Sequence, residues 1–128
     1  MSSVPFDWAD YLRLAEDLAN KPDEASQRTS ISRAYYFVYH IASARAISNG
    51  HPAGGNSHSK IWQLYQGQTT NKDARRLAAL GQSMKRVREY ADYHAIVHQV
   101  PDQMAQQLLD AKQFLTQLTA LTANAPQP

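Results

Sequence analysis

The feature that most constrains the fold is the spacing of apolar residues, which recur at steps of three and four along nearly the whole chain. This spacing places them on one face of an α-helix, whereas a strand needs alternation at every second residue, and no convincing alternation is present. The longest such stripe runs through Ile31, Ala34, Tyr35, Val38, Ala42 and Ala46, widened by Phe37, Ile41 and Ala44. The sequence therefore predicts an all-α protein whose second helix is central.

Helix-breaking residues divide this pattern into segments. Pro22 ends the first helix because proline disfavours helix in the residue before it, and Pro22 with Asp23 suits the start of the second. The predicted elements are a first helix at 6–19, a second after Pro22, a loop at 49–56, a short helix at 59–66, a long third helix at 71–98 and a fourth helix from Pro101. The polar, proline-bearing residues 122–128 are predicted to form a flexible tail.

The length of 128 residues fits one domain, which we place at 1–121. The chain has no cysteine, which excludes disulfides, thiolate metal sites and cysteine nucleophiles. Acidic residues interrupt the first segment where a signal peptide needs an apolar core, and no apolar run reaches membrane-spanning length. We therefore expect a soluble, cytoplasmic protein with no membrane partner.

The charges are unevenly distributed, although the net charge is only +2. Residues 1–27 contain six acidic side chains against Arg13 and Lys21, whereas residues 72–88 contain six basic side chains against Asp73. The basic half is the part of the chain suited to meet a polyanion such as RNA. The alternative interpretation is an ordinary solvated helix face.

Arg88 and His94 lie in the run RVREYADYH at 86–94. A permanently charged guanidinium near a titratable imidazole is suited to RNA cleavage without a metal ion. Six helical steps turn by about 240° and rise by about 9 Å, so the two side chains converge only if the helix kinks or two protomers each contribute one. The alternative is that Arg88 pairs with Asp92, four residues on.

Arg33 and His40 form a second candidate pair. Seven helical steps return them to nearly the same face, about two turns apart. The alternative is that Arg33 pairs with an acidic residue such as Glu16 or Asp92, while His40 is hydrogen-bonded between helices.

Tyrosines and further basic residues complete the predicted substrate-binding set. Tyrosine faces can stack on bases, and Tyr36 and Tyr93 are the candidates, whereas Tyr35 is expected in the core. Lys85 and Arg86 belong to the basic stretch of the third helix, which would line a substrate-binding cleft. The full predicted set is Arg33, Tyr36, His40, Lys85, Arg86 and Tyr93.

Metal and cofactor motifs are weak in this sequence. His94 and His98 are spaced like two helical metal ligands, but Ala95 stands where a zinc protease would need glutamate, and only Asp102 is near. The glycine-rich residues 50–55 lack the lysine of a phosphate-binding loop. We expect neither a metal site nor a cofactor.

Several segments together form an ordered pattern. The second helix carries SRAYYFVYHIA at 32–42, His58 follows the loop, and later helices carry Leu80, Met84, Arg88, Ala91, Asp92, Tyr93, Asp110, Ala111 and Phe114. In this order and spacing the chain resembles the HEPN family, small helical bundles of prokaryotic toxin and antiviral systems and of some eukaryotic proteins. The resemblance covers most of the chain and implies an antiparallel four-helix up-and-down bundle with an additional short helix.

The resemblance also implies a function. Many such proteins are metal-independent endoribonucleases with an arginine, then four to six residues, then a histidine, often facing its copy across a homodimer. Arg88 and His94 match that spacing and would be catalytic, and the resemblance extends to toxins that an antitoxin restrains. The alternative is a non-catalytic module that binds a nucleotide or a partner protein, such as a nucleotidyltransferase antitoxin.

Overall fold

The computed structural model describes residues 4–51 and 58–128, and within them α-helices are the only regular secondary structure. The helices are α1 (Ala9–Ala19), α2 (Glu24–Ser48), α3 (His58–Gln66), α4 (Lys72–Tyr93) and α5 (Val100–Ala120). The predicted all-α class is confirmed. None of the described helices is both long enough and apolar enough to cross a membrane.

Short-range polar contacts explain where two of the long helices begin. The Asp23 carboxylate accepts a hydrogen bond from the backbone N–H of Ser26 at 2.9 Å, which caps α2. The Asn71 side-chain oxygen accepts from the N–H of Ala74 at 3.1 Å and caps α4 in the same way. Both starts agree with the predicted boundaries, because these caps depend only on neighbouring residues.

Helix α2 is the centre of the molecule and contacts each of the other four helices. Its side chains are therefore buried on several faces, including fully buried Ala34, Tyr35, Val38 and Ala42. Such a helix lacks the single apolar stripe of a surface helix. The prediction of a central second helix is confirmed.

Gly81 permits the close approach of α3 and α4. A Cβ atom at this position would lie 2.4 Å from the ring of Trp62, a distance that real contacts do not reach. The Trp62 ring is buried and packs edge-on against Phe114 of α5 at 5.8 Å. Helix α3 is thereby attached to the core rather than lying on its surface.

The prediction that the third long helix runs to His98 is wrong. Helix α4 ends at Tyr93, His94 is extended with φ −104° and ψ 130°, and Gln99 is left-handed with φ 55°. Arg28 of α2 donates to the carbonyl oxygens of Ala91 at 3.2 Å, of His94, and of Ala95 at 3.1 Å. These bonds satisfy carbonyl groups that a helix end leaves without partners, so a side chain distant in sequence fixes the end of α4.

Residues 122–128, predicted as a flexible tail, lie against the bundle. Arg45 donates to the carbonyl oxygens of Leu118, Leu121 and Thr122 at 2.8–3.1 Å. The tail residues Ala125 and Pro126 are buried, and the Ala125 carbonyl accepts from Asn49 at 2.8 Å. Most of the predicted loop at 49–56 lies outside the described residues.

Candidate functional site

Arg88 lies between α4 and α2 with only 8% of its side chain exposed. Its guanidinium carbon is 5.3 Å from the ring centroids of both Tyr35 and Tyr36, within the range of cation–π attraction. Arg88 belongs to α4 and the two tyrosines to α2, and the packing of α4 against α2 brings these groups together. A charged group is therefore held in a mostly aromatic environment.

The charge of Arg88 is compensated by carboxylates that do not saturate its donors. The nearest ion-pair distances are 3.7 Å to Asp92 and 4.0 Å to Glu89, both longer than hydrogen bonds. The buried Nε of Arg88 has no hydrogen-bond partner in the described part of the chain. Asp92 also accepts a hydrogen bond from Ser32 at 3.2 Å. The alternative pairing of Arg88 with Asp92 is thus present, yet its distance of 3.7 Å is longer than a hydrogen bond, so the carboxylate does not saturate the guanidinium.

His58 joins this site from the first residue of α3. Its Nδ1 is 2.7 Å from the hydroxyl of Tyr35, and that hydroxyl accepts a hydrogen bond from Trp62 Nε1 at 3.2 Å. The imidazole stacks on Tyr39 with a centroid distance of 3.9 Å and an interplanar angle of 11°. Burial, and then the charges of Arg88 and Lys85, lowers the pKa of His58 to about 4, so the ring is neutral near pH 7.

The second predicted pair, Arg33 and His40, borders the same site. Arg33 lies over the rings of Tyr36 at 4.9 Å and Tyr11 at 5.1 Å, and His40 stacks on Trp8 at 3.5 Å. Burial, followed by the charge of Arg33, lowers the pKa of His40. Tyr36 therefore lies between two arginines. We name the group formed by Arg33, Tyr35, Tyr36, Tyr39, His40, His58 and Arg88 the arginine–tyrosine cluster.

The acidic partners considered for Arg33 are engaged elsewhere. Glu16 pairs with Lys112 at 3.8 Å, and Asp92 pairs with Arg88. The contacts of Arg33 are instead with tyrosine rings, which keep its charge near the surface without neutralising it.

His94 does not meet Arg88 within the protomer. Because α4 has already ended, the imidazole of His94 is exposed and stacks on Tyr90 at 4.3 Å. Within residues 4–51 and 58–128, no hydrogen bond, ion pair or ring contact joins it to Arg88. The spacing of His94 and His98 had indicated that they share a helix, but both lie beyond the end of α4.

The remaining predicted substrate-binding residues occupy different surfaces. Lys85 is 3.7 Å from Glu89, and its positive charge helps to lower the pKa of His58. Tyr93 is 77% exposed. Arg86 instead lines a separate cavity of about 480 Å³, with Ser83, Val87, Tyr90, Ile96, Val97, His98 and Gln103. Among the described residues, no three histidine or acidic side chains are grouped to hold a metal ion.

His58 and Tyr35 were absent from the predicted site. His58 lies beyond a loop, so its position relative to α2 depends on how α3 packs, and Tyr35 was assigned to the core by its helical spacing. Tyr35 is indeed buried, but its hydroxyl is a bonded part of the site. The family pattern in the sequence already included His58, and this was the observation from which its place in the site could have been predicted.

Comparisons with family models, curated proteins and solved structures gave no match to this chain.

Proposed function

We propose that this chain is a HEPN-like protein, an antiparallel four-helix up-and-down bundle with α3 as the additional short helix, and that it cleaves RNA without a metal ion. The short connections at 20–23 and 94–99 favour antiparallel neighbours. The observation that carries the function is the nearly buried Arg88, whose guanidinium lies 3.7 Å or more from its carboxylate partners and whose charge acts on the neutral imidazole of His58.

The reaction would be transesterification at a phosphodiester. The RNA 2′-oxygen attacks phosphorus, the bond to the 5′-oxygen breaks, and the products are a 2′,3′-cyclic phosphate and a 5′-hydroxyl. Arg88 would stabilise the negative charge that develops on the phosphoryl oxygens, and His94 would transfer the protons. DNA would be inert because it lacks the attacking hydroxyl.

The position of His94 makes a homodimer part of this proposal. Each protomer exposes His94 beyond the end of α4 while Arg88 lies between α2 and α4. A two-fold interface across the ends of α4 would join Arg88 of one protomer to the histidine of the other. Arg33, Tyr36, His40, Lys85, Arg86 and Tyr93 would then contact the substrate on both sides.

The first test is incubation of the purified protein with total RNA in excess EDTA. Arg88→Ala is expected to lower the cleavage rate by about 10²- to 10³-fold, and His94→Ala by about 10²- to 10⁴-fold. Arg76→Ala is the matched control, because Arg76 lies on the same helix with a 74% exposed side chain paired to Asp73. Intact RNA with the wild-type protein would contradict the proposed activity.

Mixing the two inactive variants tests the dimer. If Arg88 and His94 act across the interface, a heterodimer of Arg88→Ala and His94→Ala has one intact site. Random exchange of protomers would restore about a quarter of the wild-type rate. Tagged protomers verify that exchange has taken place. If exchange occurs and activity is not restored, either both residues act within one protomer or one of them does not belong to the site.

A second candidate is a non-catalytic HEPN module that binds a nucleotide or a partner such as a nucleotidyltransferase antitoxin. The cavity lined by Arg86, Tyr90 and His98 favours it, since a volume of about 480 Å³ suits a small ligand. Intact RNA together with calorimetric binding of a mononucleotide, abolished by Arg86→Ala, would support this candidate. Growth arrest on expression, relieved by Arg88→Ala, would favour the nuclease.

A further inference from the structure

A chain of hydrogen bonds determines which nitrogen of His58 carries the proton. The indole N–H of Trp62 can only donate, so the Tyr35 hydroxyl accepts from it at 3.2 Å. Tyr35 is fully buried, and among the described residues the remaining partner for its single hydroxyl hydrogen is His58 Nδ1 at 2.7 Å. Because an unbonded buried hydroxyl hydrogen is costly, the hydroxyl donates and Nδ1 accepts. The proton of the neutral imidazole is therefore on Nε2.

The surroundings of His58 fix the ring and make it suitable for an anion. Stacking on Tyr39 at 3.9 Å, with Tyr36 edge-on at 5.6 Å, restricts rotation of the imidazole. The positive charges of Arg88 and Lys85 act on it, and the negative charge of Glu89 opposes them. His58 is also the first residue of α3, where free helix N–H groups have partial positive charge.

We propose that His58 donates a hydrogen bond from Nε2 to a phosphoryl oxygen of RNA, next to the guanidinium of Arg88, and acts as a neutral positioning group rather than as the base. This role rests on the proposed function, because it assigns a phosphodiester to the cluster. The base remains His94. Within the described chain, Nε2 has no other hydrogen-bond partner, whereas Nδ1 is occupied by Tyr35.

The first part of the test is the tautomer. Two-dimensional ¹⁵N correlation spectra of the histidines at pH 7 are expected to show His58 as the neutral Nε2–H form. Tyr35→Phe removes the hydroxyl that selects this form, and is expected to give a mixture of tautomers. A wild-type His58 with its proton on Nδ1, or charged at pH 7, would overturn the inference.

The second part compares two substitutions that separate a donor from a base. His58→Gln retains an N–H near the position of Nε2 but cannot transfer a proton, and His58→Leu retains neither ability. Affinity for a 2′-O-methyl oligoribonucleotide and the rate of RNA cleavage are both measured. His58→Leu is expected to lose about 10- to 100-fold in each, while His58→Gln stays within about threefold of wild type.

The outcomes distinguish this inference from the proposed nuclease. Tight binding of the 2′-O-methyl RNA that His58→Gln keeps and His58→Leu loses, without cleavage of ordinary RNA, would contradict the nuclease and leave the role of His58 supported. Cleavage by the wild type, with His58→Gln as impaired as His58→Leu and both folded by circular dichroism, would overturn the role of His58 alone. Absence of any RNA binding would overturn both.

Discussion

At the residue scale, Tyr36 is the side chain that connects the two arginines of the site. Arg33 and Arg88 lie 4.9 and 5.3 Å from its ring, on two different helices. Each cation–π contact contributes about 0.5–2 kcal/mol, which partly offsets the cost of desolvating a guanidinium. The aromatic ring thus contacts two positive charges without neutralising them.

The low pKa of His58 predicts a dependence of stability on pH. Its pKa falls from the ordinary 6.5 to about 4 on folding, so between these values the unfolded chain binds a proton that the folded chain does not. Stability from this group is therefore present above pH 6.5 and is lost as the pH falls towards 4. The lowered pKa of His40 acts in the same direction.

Urea unfolding at several pH values between 7 and 4 measures this effect. The free energy of unfolding should fall with pH in the wild type and fall less in His58→Gln. His98→Gln, at an exposed position outside the bundle core, is the control and should follow the wild type. Identical pH profiles for wild type and His58→Gln would contradict the prediction.

At the element scale, the end of α4 is stabilised by Arg28 of α2 rather than by a local cap. The guanidinium reaches three carbonyl groups of residues 91, 94 and 95 while only 17% of the Arg28 side chain is exposed. The same bonds determine the path of 94–99 and hence the position of His94. A contact between two helices thus determines both where α4 ends and where the candidate catalytic residue His94 lies.

Arg28→Gln is expected to destabilise the protein by about 2–3 kcal/mol, because charged hydrogen bonds to the end of α4 are lost. Hydrogen exchange should become faster at residues 91–99. Arg13→Gln is the matched control, since the ion pairs of Arg13 with Asp7 and Asp10 are exposed to solvent and should contribute little to stability. Equal stability losses for the two variants would show that Arg28 does not cap α4.

At the scale of the whole molecule, the C-terminal segment closes one end of the bundle. Arg45 and Asn49 of the α2 end bind its carbonyl groups, and Gln68 and Gln127 exchange two hydrogen bonds of 2.9 Å. The segment after α5 therefore contacts both the end of α2 and the connection between α3 and α4. Its order depends on partners that are distant in sequence.

Removal of residues 123–128 is expected to lower the free energy of unfolding by about 2–4 kcal/mol, through lost burial at Ala125 and Pro126 and lost hydrogen bonds. Chemical denaturation measures the change. Asn49→Ala removes the hydrogen bond from Asn49 to the Ala125 carbonyl and should account for about 1 kcal/mol of this loss. Unchanged stability after truncation would support the flexible tail that the composition predicted.

The sequence alone determined the features that arise from neighbouring residues. Apolar spacing specified the all-helical class and the central α2, and Asp23 and Asn71 marked helix starts, because periodicity and caps act within one turn. The spacing on α2 also selected Arg33, Tyr36 and His40, and the ordered pattern across the helices selected Arg88. These residues do lie together in the structure.

Only the tertiary structure decided the features that depend on contacts between distant segments. The end of α4 required Arg28, and the packing of the tail required Arg45 and Asn49. His58 entered the site because Trp62 and Tyr35 position it across the α2–α3 interface. Such contacts join residues far apart along the chain, and helical spacing contains no information about which faces of different helices will meet.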